Sequence, residues 1–216
     1  MNKLISVLLT LCLLAGLACG AASAEAPADA AHHLTILATS DLHANIIGYS
    51  YEDDKPTTNN GMARLYTYIQ QVRAENPNTL LIEGGDDIQG TIMTDDLYNK
   101  KPEAEHPVIA AMNYMGYDAM TLGNHEFNWG VTTMNTILGQ AQFPVLAANA
   151  HLADGSLVTG QGWIIKEVDG VKVAVIGVVS PNIQRWDGGK EGIDDLKFDA
   201  VADAVEAALN EIGDQA

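Results

Sequence analysis

A chain of 216 residues is one domain in size, and its 47% hydrophobic content is that of a globular core, which excludes a disordered polypeptide. Eleven Lys and Arg stand against 28 Asp and Glu, a formal charge of −17. A surface this negative repels phosphate backbones and excludes a coat for a nucleic acid polymer; a small anionic substrate needs a local reversal of field, such as metal ions supply.

Lys3, the apolar run from Leu4 to Ala18 and the small residues Ala22-Ser23-Ala24 read as a secretory leader with its cleavage site. Residues 1–24 are therefore expected to be removed and the protein exported to a periplasm, cell surface or medium, with no membrane span left after cleavage. An uncleaved anchor and a lipid on Cys19 are the alternatives. Both cysteines, Cys12 and Cys19, leave with the leader, so the mature chain holds no disulfide, thiolate zinc site or cysteine nucleophile. Residues 25–33 form an Ala/Pro/acid linker, and residues 34–216 the folded domain.

Within that domain Leu34 to Ser40 reads as a buried strand and Tyr49 to Asn60 as a polar loop. Met62, Leu65, Tyr66, Ile69 and Val72 recur at the helix period, and Pro77 follows the helix end. Thr79 to Ile82 is a second strand. Pro107 opens a helix with Val108, Ile109, Met112 and Met115 on one face and Gly116 as its stop. Asp118 to Leu122 is a third strand, Val131 to Leu138 a helix ending at Gly139, and Pro144 to Ala148 another strand. Trp163 to Val168 and Val171 to Val179 flank Asp169-Gly170, a strong hairpin signal. Val201, Val205, Ala208 and Ile212 mark a last helix. This alternation with an added hairpin predicts a layered α/β domain.

Three short motifs follow three of these strands, where ligands collect in α/β sheets. In Asp41-Leu42-His43, residues two apart face one side, so a carboxylate and an imidazole can meet one ion of the zinc, manganese, iron or cobalt class. In Gly84-Gly85-Asp86-Asp87-Ile88-Gln89-Gly90, glycines permit a sharp turn and Asp86 at its tip can bridge two cations, while Asp87 is expected to face solvent or support the ligands. In Gly123-Asn124-His125-Glu126, the Asn124 amide oxygen can bind metal while His125 reaches substrate. Taken singly, each has an ordinary structural alternative: a capping Asp with a surface His, a tight turn, a polar turn.

Together, in this order, Asp-x-His, Gly-Asp and Gly-Asn-His-Glu resemble the calcineurin-like metallophosphoesterases. The stretches Ile36 to Ala44, Gly61 to Leu65, Ala74 to Gly90 and His106 to Gly130 resemble the secreted nucleotidase branch, and most of all the bacterial 2′,3′-cyclic-nucleotide 2′-phosphodiesterase/3′-nucleotidase group. The resemblance implies a four-layer α-β-β-α sandwich and two divalent metal ions. It implies that Asp41 and His43 bind one ion, Asp86 bridges both, Asn124 binds the second, and His125 contacts the phosphoryl group and either stabilises charge or donates a proton to the leaving oxygen. Glu126 and Asn128 are expected to support these residues. The implied activity is hydrolysis of nucleoside 2′,3′-cyclic phosphates and 3′-phosphates. A 5′-nucleotidase or UDP-sugar hydrolase is the near alternative, and a non-catalytic metal- or nucleotide-binding module the distant one.

The family's later blocks, a lone His and a Gly-His-x-His, and its C-terminal nucleoside-binding domain find no match after His151. The chain is thus expected to be the N-terminal part of a truncated sandwich, with little activity as a polypeptide ending at Ala216. His32, His33, His106 and His151 are read as surface residues, with His106 starting a helix and His151 in a turn. Trp163 and Trp186 are read as packing residues. At Asn128 the 5′-nucleotidases usually carry Asp; the neutral amide either orients His125 without adding charge or caps the next helix.

Overall fold

The computed structural model describes residues 31–51 and 53–216, so the expected leader and residues 25–30 of the expected linker lie outside the described residues. His33–Ala216 forms a unit of its own. Its centre is a four-stranded parallel sheet of Thr35–Thr39 (β1), Thr79–Glu83 (β4), Ala119–Thr121 (β5) and Val145–Leu146 (β6), in that spatial order. Between β1 and β4 lie the short pair Tyr49–Ser50 (β2) and Lys55–Pro56 (β3), inside the stretch expected to be loop, and the helix Met62–Glu75 (α1). Helices Pro107–Met115 (α2) and Val131–Leu138 (α3) make the next two crossovers. Pro107 sits in the first turn of α2, where its missing N–H costs nothing, and Gly116 ends it with a left-handed φ of 71°.

The helix stripes meet one face of this sheet. Met62, Ile69, Met112, Met115, Met134 and Ile137 pack with Leu81, Met120 and Phe127 in a single apolar cluster. The opposite face carries the hairpin Trp163–Val168 (β8) and Val171–Ile176 (β9), turned at Asp169 and Gly170, both at positive φ. A cleft of about 320 Å³ separates Ala38, Ile82, Ala119 and Leu146 of the sheet from Val175 and Gly177. Helix Val201–Ile212 (α5) packs on β9 through a face holding Ala204, Ala208 and Ile212. Helices, parallel sheet, hairpin and α5 thus stack as α-β-β-α, a mixed α/β architecture.

Several expectations change. β1 is an edge strand, not a buried one: alternate residues face outward and Ile36 is 55% exposed. Ala150–His151 (β7) pairs with Lys197–Phe198 (β10), so His151 lies in a strand, its Nε2 2.8 Å from Asp199 Oδ2. Helix Ile183–Asp187 (α4) leaves Trp186 exposed rather than packed. His106 precedes α2 as expected but is buried, not a surface residue. Its Nε2 lies 3.2 Å from Asn99 Oδ1, and Asn99 donates to the Ile88 carbonyl at 2.9 Å, tying α2 to the turn after β4.

Burial pushes the His106 imidazole down to about 4 from its ordinary 6.5, because the charged ring cannot be hydrated there. The unfolded chain therefore binds this proton first, and the stability present above pH 6.5 drains away as pH falls toward 4. Urea midpoints measured at pH 7.5 and 4.5 should show His106→Gln losing less stability on acidification than wild type, by up to about 3 kcal/mol.

Candidate active site

Each motif leaves the carboxyl end of its own strand, and those strands are neighbours. Thr39 pairs with Glu83, and Glu83 with Met120, so the loops after β1, β4 and β5 start side by side. The first two loops are joined through their backbones: Asp41 N–H donates to Gly85 O at 2.9 Å, His43 N–H to Asp86 O at 3.0 Å and Ala44 N–H to Asp87 O at 2.9 Å. This pairing holds Asp41, His43, Ala44 and Asp86 at φ values of 56°, 45°, 57° and 67°, a left-handed conformation that side chains resist. Gly85 and Gly123 let the second and third loops touch. A Cβ on Gly85 would fall 2.0 Å from Gly123 N, and one on Gly123 would fall 2.2 Å from Asp86 Oδ1.

Glu126 closes the second junction. Its carboxylate is fully buried and accepts the backbone N–H groups of Asp86 (2.8 Å), Asp87 (2.7 Å), Ile88 (3.3 Å) and Gly123 (2.8 Å). Asp86 Oδ1 in turn accepts His125 N–H at 2.7 Å. The result brings His43, Asp86 and His125, each half-buried, to where one ligand-capable atom from each lies within 4.8 Å of the others. The His43 and His125 rings meet edge-on, with centroids 5.1 Å apart. Asp41 stands at the rim, its carboxylate accepting the Ser40 hydroxyl at 2.6 Å and lying 3.9 Å from His43 Nε2. Asn124 sits at the head of the 3-10 turn His125–Trp129, where its carbonyl accepts Phe127 N–H at 3.3 Å. Imidazoles and carboxylates together form a donor set that suits a transition-metal or zinc ion better than calcium, so the residues present fit the class of ion the resemblance implied.

Beneath this mouth lies a set of buried acids. Burial pushes Glu83 up to about 7, against the Thr39 hydroxyl and the Gly84 and Gly85 amides that favour its charged form. Burial likewise raises Glu126 and, more strongly, Asp87, with neighbouring carboxylates adding to the effect on both. Asp87 does not face solvent: it is fully buried, with the Leu42 amide favouring its charged form against three neighbouring carboxylates.

Asn128 does not cap α3, whose N-terminal boundary residue is Gly130 and has no side-chain cap. Its Oδ1 lies 2.7 Å from His125 Nδ1, and its Nδ2 donates to Asp187 Oδ1 at 3.0 Å. Asp187 carries no sequence signal: it lies 59 positions from its partner, in a short helix that periodicity did not reveal.

A profile described as calcineurin-like phosphoesterase matches residues 34–203. The chain is 41% identical over 180 residues to the trifunctional nucleotide phosphoesterase protein YfkN of Bacillus subtilis, covering 76% of this chain and 12% of that one. It is 35% identical over 204 residues to the 2′,3′-cyclic-nucleotide 2′-phosphodiesterase/3′-nucleotidase of Yersinia enterocolitica, covering 87% and 31% respectively. Over 166 residues it is 38% identical to the 5′-nucleotidase of Mus musculus, covering 71% and 27%. A crystal structure of YfkN superposes with a TM-score of 0.75 at 33% identity, over 84% of this chain and 58% of that one. The chain thus spans a third or less of the length of these curated relatives.

Both Glu126 oxygens serve as double acceptors, so an amide there would aim N–H at N–H. Glu126→Gln should cost roughly 2 kcal/mol or more in chemical denaturation, and Glu126→Ala more still, with four amides left unpaired. A Gln variant as stable as wild type would show that these contacts do not hold the loops.

Proposed function

The chain belongs to the calcineurin-like phosphoesterase family, and from that premise we propose that its protein hydrolyses nucleoside 2′,3′-cyclic phosphates and nucleoside 3′-phosphates. The observation that carries the reading is the convergence of His43, Asp86 and His125 from three adjacent strand ends. Asp41 and His43 would hold one divalent ion, Asp86 would bridge it to a second, and Asn124 would bind that second ion. When bound, such ions supply Lewis acidity and lower the pKa of water. His125 donates a proton from its ring to the ribose oxygen as the P–O bond breaks, while water adds its oxygen to phosphorus and releases a proton to solvent, from which the ring is restored. Glu126 holds the Asp86 loop in place, and Asn128 orients the His125 ring. Export follows from the leader at residues 1–24; among the described residues no helix is long and apolar enough to cross a membrane.

A 5′-nucleotidase is the second reading, favoured by the likeness to the mouse enzyme of that name. Asn128, where that group usually carries Asp, favours the cyclic phosphodiesterase. Assays of the full gene product with manganese and 2′,3′-cyclic AMP, 3′-AMP and 5′-AMP in parallel should show faster turnover of the first two. A marked preference for 5′-AMP would select the second reading instead.

The neighbouring aspartates should separate in the same assays. Asp86→Ala should lower bound metal and kcat at least about 100-fold, the upper loss that outer partners of a metal already cause. Asp87→Asn, which replaces a buried carboxyl by its neutral isostere, should keep its metal and stay within about tenfold of wild type. Equal losses of metal and rate in both variants would show that Asp86 is not the bridge.

A further inference from the structure

We propose that Asp187 is a positioning residue that fixes, through Asn128, which nitrogen of His125 carries the permanent proton. Three side chains form the path: His125 Nδ1 lies 2.7 Å from Asn128 Oδ1, and Asn128 Nδ2 lies 3.0 Å from Asp187 Oδ1. Asp187 is only 4% exposed and its same oxygen accepts the Lys190 ammonium.

An amide can face either way, and a neutral imidazole can carry its proton on either nitrogen, so the His–Asn pair alone has two self-consistent arrangements. In one the amide oxygen accepts Nδ1–H. In the other the amide NH₂ donates to a bare Nδ1, and the ring proton moves to Nε2. A carboxylate accepts and cannot donate, so Asp187 admits only an amide that turns its NH₂ away from the ring. The oxygen then faces His125, Nδ1 keeps its hydrogen, and Nε2 is the nitrogen left bare in the neutral ring. Lys190 pairs with the carboxylate but has no acceptor of its own to offer the amide, so the choice of orientation rests on Asp187.

The inference deepens the proposed reaction, which uses His125 as proton donor, but it is read without substrate. The full chain labelled with ¹⁵N, free of metal, reports the His125 tautomer in long-range ¹H–¹⁵N spectra. Wild type should show the Nδ1–H form alone, and so should Lys190→Met. Asp187→Ala with Lys190→Met should admit the Nε2–H form alongside the Nδ1–H form, since neither amide orientation is then held. Asp187→Asn with Lys190→Met, nearly isosteric with wild type, should give the same mixture; Lys190 must go as well, because it would otherwise hold the new amide oxygen where the carboxylate stood. A pure Nδ1–H form in either folded Asp187 variant overturns the proposal, as does a mixture in Lys190→Met alone. The expected tautomers in a full-length protein without phosphoesterase activity would count against the proposed reaction and leave the positioning role standing.

Discussion

One buried carboxylate carries most of the site's architecture. Glu126 receives backbone N–H groups from Asp86, Asp87 and Ile88 on one side and Gly123 on the other, two to each oxygen. Those amides belong to loops that have left their sheet ladders and would otherwise be buried without acceptors. Aspartate is a methylene too short to stand in the same place, and glutamine offers a donor where an acceptor is needed. The same junction lets the backbone at Asp86 remain left-handed, with Asp41, His43 and Ala44 held likewise through the loop pairing. Strain of about 1–3 kcal/mol at each such residue persists only where the surroundings over-determine it. Here the surroundings are mostly one side chain and a parallel sheet.

Stability and site chemistry meet in the acids behind the mouth. Glu83, Asp87 and Glu126 are buried near one another, and burial raises all three toward their neutral forms. Glu83 is stabilised by the Thr39 hydroxyl and Glu126 by amides, whereas Asp87 sets the Leu42 amide against three neighbouring carboxylates. Burying a carboxylate among others of its charge is costly, and that cost is what moves these groups toward their neutral forms. These acids lie behind the mouth, whereas Asp41 and Asp86 stand where solvent and ligands reach them.

The strand-end motifs were legible because their chemistry is local. Asp41, His43, Asp86, Asn124 and His125 follow apolar strands within a few residues, and parallel pairing of β1, β4 and β5 brings those strand ends together. Helix boundaries were legible for the same reason: Pro107 and Gly116 act on their own backbones. What escaped depends on distant partners. Asp87 resembles a surface turn residue until Leu42–Ala44 and Glu126 enclose it. His106 is a polar letter before a helix, and only the Asn99 link and the packing of its turn make it a core residue. The exposed face of β1 is the one that looks into the cleft beside the hairpin, and how far a second layer covers a strand is not encoded in that strand's own hydrophobicity. Asp187 sits in a helix too short for periodicity, and its importance comes from a neighbour 59 positions away.

The overall charge of −17 and an anionic substrate are compatible for a reason of length scale. Salt screens exposed charges over about 8–10 Å at physiological strength, so a ligand responds to the charges nearest it and little to the far surface. A nucleic acid polymer laid across this protein would meet acidic groups along its whole path, and each added contact would repel it. A single nucleotide seated at the three strand ends would meet chiefly the groups of the mouth. Divalent ions held by Asp41, His43, Asp86 and Asn124 would reverse the field there and nowhere else. Under the proposed function, the same acidity that bars long polymers leaves small phosphate esters free to bind, so selection by size begins before any base is recognised.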